Sequence, residues 1–118
     1  MALQETRPNP ENDGESSELP QAVNRILSAL CSDYDRRHEV LCKMEARREV
    51  LQQYVEWNTA IDCALEEECE ESIREEMRRD IGAGRGLAHS RIACLDERGY
   101  ARRKRNVKLA IAKKIRLL

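Results

Sequence analysis

Apolar residues return every three or four positions through most of this chain and rarely alternate, so the pattern predicts helices rather than sheet. Val23, Ile26, Leu27 and Leu30 form the first stripe, in a helix beginning near Leu19 and Pro20, where proline suits the opening turn, and ending at Ser32-Asp33. From Tyr34, the positions Leu41, Met44, Leu51 and Val55 recur with Tyr54 beside them, while Arg36, Lys43 and Arg47 fall outward. Ile61, Leu65, Cys69, Ile73 and Met77 follow at intervals of four. Ser32-Asp33-Tyr34-Asp35 and Thr59-Ala60-Ile61-Asp62 have the form of capping boxes, which predicts a restart near Tyr34 and a break near Asn58. A hairpin of helices over 34–57 and 60–81 would be self-contained. A single rod over the same residues would be about 70 Å long and would need a partner chain to cover its stripe; both arrangements stay open at this point.

The last segment repeats the pattern with a different polar face. Leu87, Ile92 and Leu95 mark a short helix, and Asp96 is placed to cap the next one. In that helix Tyr100, Val107, Ile111, Ile115 and Leu118 cluster within about 60° on a wheel of about 100° per residue. Lys104 is expected to snorkel beside them. The opposite side carries Arg102, Arg105, Asn106, Lys113 and Arg116.

Composition narrows the class to all-α. Charged residues make up 36% of the 118, aromatics 3%, and phenylalanine is absent, so a large catalytic core is excluded. Residues 1–18 contain almost nothing to bury and are expected to be a disordered tail. Residues 19–81 then form an acidic amphipathic helical region, 82–86 a glycine-rich linker with Gly82 as left-handed helix cap, and 87–118 a basic region. Cys31, Cys42, Cys63, Cys69 and Cys94 are odd in number and contain no Cys-x-x-Cys pair, and no apolar leader precedes them, which suits reduced, packed thiols in a cytoplasmic protein. No run is long enough for a membrane span.

The net charge of −1 conceals a division that matters more than the total. Residues 84–118 hold eleven Lys and Arg against two acids, a net of +9, and residues 1–83 hold ten against twenty, a net of −10. Such a basic half sits against a polyanion or against its own acidic half. Glu66, Glu67, Glu68, Glu70 and Glu71 run around a helix rather than converging, so they read as a solvated face; the sharper alternative is that they dock on the basic helix when nucleic acid is absent. The glycines of 82–86 follow a helix rather than a strand, which argues against a phosphate loop. His89 and Cys94 can share a helical face but lack a second pair of metal ligands, and His38 reads as a surface or half-buried residue. No nucleophile, base and orienting group can be placed together, so no enzyme, cofactor or small-molecule substrate is expected. Three Tyr and one Trp are too few and too scattered for an RNA stacking platform.

Two helices over 87–95 and from 96 onward, joined by a tight turn, have the spacing of a helix-turn-helix whose second helix enters the major groove. On that reading Arg98, Arg102, Arg105 and Asn106 reach base edges, and Arg103, Lys108, Lys113 and Arg116 meet phosphates. The stretch Asp96-Glu97-Arg98-Gly99-Tyr100-Ala101-Arg102-Arg103-Lys104-Arg105, followed by Ala110-Ile111-Ala112 and a terminal Leu-Leu, resembles the C-terminal helix of RinA/ArpU-like regulators of phages and prophages. Asp80-Ile81-Gly82-Ala83-Gly84-Arg85-Gly86-Leu87 and Ser90 suit the same pattern. The resemblance implies a DNA-binding transcription regulator, similar to the promoter-reading fourth region of sigma factors, with double-stranded DNA and RNA polymerase as partners. A homodimer fits a palindromic site. The alternative is a helical adaptor or scaffold whose basic helix binds an acidic protein.

Overall fold

The computed structural model describes residues 19–84 and 97–118. The expected tail over 1–18, the short helix over 87–95 and the cap at Asp96 lie outside them. Five helices carry the described residues: α1 (Gln21–Ser32), α2 (Tyr34–Lys43), α3 (Arg48–Glu68), α4 (Glu71–Ala83) and α5 (Glu97–Lys114). The all-α expectation holds, and no strand occurs among the described residues. None of their helices is long and apolar enough to cross a membrane.

Pro20 occupies the N-cap position of α1, where its fixed φ and missing amide hydrogen cost nothing. Leu27, Leu30 and Cys31 are buried and Val23 packs against them, but Ile26 is exposed, so the stripe is rotated toward Cys31. A single residue, Asp33, separates α1 from α2. The capping box expected there does not form. Its carboxylate instead accepts from Nε and Nη2 of Arg36, each at 2.7 Å, and lies 3.4 Å from Nη1 of Arg37.

The break expected near Asn58 is also absent, because α3 runs straight through it. The polar residues that suggested a helix start are engaged across the fold. Buried Asn58 accepts from Arg37 Nε at 2.8 Å and donates to the Tyr34 carbonyl at 3.3 Å, and Asp62 accepts from the Tyr34 hydroxyl at 2.8 Å. The chain turns instead at Met44, whose φ of 54° is left-handed, and at the extended residues Cys69 and Glu70. Residues 34–81 are therefore neither one rod nor a hairpin hinged at 58, but three helices. The four-residue stripe survives the second turn: Ile61, Leu65, Cys69, Ile73 and Met77 are all buried.

Gly82 is not the cap expected of it, and the linker does not start there, since α4 continues to Ala83 and Gly84 takes the left-handed position with φ of 73°. Gly82 serves the packing of α4 on α1. A Cβ at this position would lie 2.9 Å from the backbone nitrogen of Ser32, closer than real contacts allow.

The core is made by α1, the second half of α3, α4 and α5, with Leu27, Ile61, Ala64, Met77, Tyr100, Val107 and Ile111 fully buried. Residues 34–57, comprising α2 and the first half of α3, form an arm in which no apolar side chain is fully buried. The buried guanidinium of Arg37 ties this arm to the core. It donates to the Leu30 carbonyl at 2.5 Å and to Asn58, and lies 5.7 Å from the centre of the Trp57 ring.

Candidate nucleic-acid interface

Helix α5 lies in the core by one side only. Tyr100, Val107 and Ile111 are fully buried, and with about 100° per residue the opposite side carries Arg98, Arg102, Leu109 and Lys113, with Arg105 toward the edge where buried Ala112 lies and Arg116 just beyond the helix. Arg98, Arg102, Lys113 and Arg116 are exposed, while Arg105 and Asn106 are half-buried. Among the described residues none forms an ion pair or side-chain hydrogen bond with Arg98, Arg102, Lys113 or Arg116. At about 1.5 Å per residue the row from Arg98 to Lys113 is about 22 Å long. It is a cationic ridge backed by a rigid apolar base.

The flanks are different. Arg103 donates to the Glu68 carbonyl at 3.3 Å and lies 3.8 Å from the Glu70 carboxylate, and Lys114 Nζ lies 2.8 Å from Glu67. The Glu67 hydrogen bond holds the Lys114 ammonium above its ordinary range. A groove of about 340 Å³ runs between the ridge and this acidic edge, with Glu67 and Glu68 on one wall and Asn106, Leu109 and Lys113 on the other. Phosphate is repelled along that wall and attracted along the ridge, so the charge pattern fixes the side from which an anion approaches.

Lys104 departs from expectation. It does not snorkel: its side chain is 1% exposed and its Nζ lies 3.3 Å from Oδ2 of Asp80, which is 0% exposed. Position 104 falls at the centre of the buried face, one turn from Tyr100, and α4 supplies a carboxylate at the matching position. Lys108 stands on the side of α5 nearest Cys31 rather than on the ridge. Burial pushes its ammonium below the ordinary range, and the charge of Lys104 adds to this. Burial likewise pushes the Cys31 thiol up to about 11.

The structure thus brings Arg98, Arg102, Arg105 and Lys113 into one row, with Asn106 at its edge and Arg116 at its end, and sets Arg103 and Lys108 on the flanks. Sequence reasoning passed over the Lys104–Asp80 pair, although a signal was there: each residue sits in the apolar register of its own helix, and their charges are opposite. Among the described residues no group of three His, Cys, Asp or Glu is placed to hold a metal ion. No family model matches the chain, and neither does a curated protein or a solved structure.

Proposed function

We propose that this protein binds double-stranded DNA through the α5 ridge and acts as a transcription regulator of the RinA/ArpU-like, sigma-region-4-like kind. The observation that carries the reading is the row of exposed Arg98, Arg102, Lys113 and Arg116, which is without ion-pair partners among the described residues while Arg103 and Lys114 on the flank have them. A helix with side chains is about 10–12 Å across, which fits a major groove about 12 Å wide. Arg98 and Arg102 then lie toward base edges from the first turns of the helix, and Lys113 and Arg116 toward phosphates. The resemblance of residues 96–105 supports transcriptional control, with RNA polymerase as the second partner.

A second reading has its own observation. Lys114 and Arg103 already hold carboxylates of Glu67 and Glu70, so an acidic protein surface would find donors of the right kind on the same helix. Fluorescence anisotropy with a random-sequence duplex at several salt concentrations separates the two. DNA binding gives an affinity that falls steeply with salt, and Arg102→Ala and Lys113→Ala each reduce the slope by about 1. Equal affinity for duplex and for polyglutamate, or slopes unchanged in both variants, overturns the DNA reading.

A further inference from the structure

Two kinds of ion pair join α5 to the rest of the fold, and exposure separates them. Lys104 and Asp80 are buried on both sides, so that pair stays closed as long as the helix stays packed. Lys114 and Glu67 are 31% and 51% exposed, and Arg103 and Glu70 are 33% and 67% exposed. Water reaches both of these pairs, and each can open with the core intact. Neither is a local helix pair: Glu67 stands in the last turn of α3 and Glu70 at the N-cap of α4, and both reach across to a helix that begins at Glu97.

The two cations held this way form a second row beside the ridge. Arg103 and Lys114 are eleven positions apart, which puts them within about 20° of each other on the wheel and about 16 Å apart along the axis. Each directly follows a ridge residue, Arg102 or Lys113, and so lies about 100° round the helix from it. With the ridge toward the floor of a groove about 12 Å wide and 8.5 Å deep, that second row faces the phosphates of one strand. Moving Lys114 from Glu67 to a phosphate leaves a bare carboxylate beside the same strand, whereas the closed pair keeps this edge neutral.

We propose that this acidic edge is an autoinhibitory contact: Glu67 holds Lys114, and Glu70 with the Glu68 carbonyl holds Arg103, away from the phosphates of a duplex on the ridge. The inference rests on the DNA reading and adds to it a restraint on affinity built into α3 and α4. The test is an anisotropy titration of the full chain with a random-sequence duplex over a range of salt. Glu67→Gln, at an exposed position, is expected to tighten binding about two- to fivefold and to steepen the salt slope by about 0.9, the contribution of one further phosphate. Lys114→Ala alone is expected to leave the wild-type slope unchanged, and in the Glu67→Gln background to remove the added slope. Glu70→Gln is expected to do less than Glu67→Gln, because the Glu68 carbonyl keeps its hold on Arg103. Glu45→Gln removes the same charge from an exposed residue at the tip of the arm and is expected to change neither affinity nor slope. A Glu67→Gln slope equal to that of the wild type overturns the proposal. So does a slope lowered by Lys114→Ala alone, or an added slope that survives Lys114→Ala. If Arg102→Ala and Lys113→Ala also leave the slope unchanged, the DNA reading falls and this inference with it; if they lower it while Glu67→Gln is silent, only the inference falls.

Discussion

Helix α3 passes through two environments with one unbroken backbone. Its second half places Ala60, Ile61, Ala64 and Leu65 in the core, whereas its first half places Val50, Leu51, Tyr54 and Val55 where none is fully buried. Periodicity is equally good in both halves. What differs is the company: α4 and α5 both pack on α3, and the core cluster formed with α1 takes its first buried α3 residue at position 61, whereas the first half of α3 has α2 as its main neighbour. Amphipathic spacing states which side of a helix is to be covered, and other elements decide whether it is.

The sharpest contrast between the two regions is expected in their ion pairs. Lys104→Met in the core leaves the fully buried Asp80 without its ammonium and is expected to cost about 3–5 kcal/mol. Lys43→Met in the arm removes a 2.9 Å pair with Glu39 in which both side chains are more than half exposed, and is expected to cost less than about 1 kcal/mol. Urea denaturation checks both, as a midpoint shift at constant slope. Replacing both core partners, as Lys104→Met with Asp80→Leu, is expected to recover most of the loss, because neither charge of the pair then remains buried.

Within α3 alone, the comparison is tested by truncating one residue in each half. Ile61→Ala is expected to cost about 2–5 kcal/mol, whereas Leu51→Ala, half-exposed already, is expected to cost about 1. Equal costs in the same denaturation experiment would show that the arm is packed as firmly as the core. Gly82→Ala comes next, at about 1–3 kcal/mol, because its methyl would meet the α1 backbone rather than a side chain that can swing aside. That loss exceeds what alanine contributes to α4 through its better helix propensity.

These sites also mark how far the sequence was legible. The stripes over 61–77 and 100–111 were readable because burial follows period, and the stripe held even where Cys69 and Glu70 interrupt the helix. The break between α1 and α2 at Asp33 was readable too, but the later turns were not, because each depends on partners remote in sequence. Asn58 looks like a helix breaker until Arg37 and Tyr34 occupy its side chain, and Gly82 looks like a cap until Ser32 packs against it. At the ridge, the side of α5 bearing Arg102, Lys113 and Arg116 followed from the wheel. Lys104 was misjudged because a lysine among apolar residues is ordinarily extended to solvent, and Asp80 lies on another helix.

The smallest expected effect lies at the joint between the two regions and appears as a pH dependence. Hydrogen bonds from Arg36 hold the Asp33 carboxyl below its ordinary range, against the opposing effect of burial, and the charge of Arg37 works in the same direction as Arg36. In the unfolded chain the same carboxyl titrates near its ordinary value, about 3.9. Because the folded value is the lower one, the unfolded state binds the proton first. The stabilisation is therefore complete above about pH 4 and is lost as the pH falls through the lowered folded value. Asp33→Asn is expected to flatten the acid limb of the stability profile while leaving the neutral region lower by a small and constant amount. Since the ion pairs of Asp33 run to Arg36 and Arg37 of the arm, amides of α2 are expected to lose hydrogen-exchange protection at acid pH before those of α4. Simultaneous loss in α2 and α4 would mean that arm and core open as one unit, and that the difference between the two halves of α3 is one of burial alone.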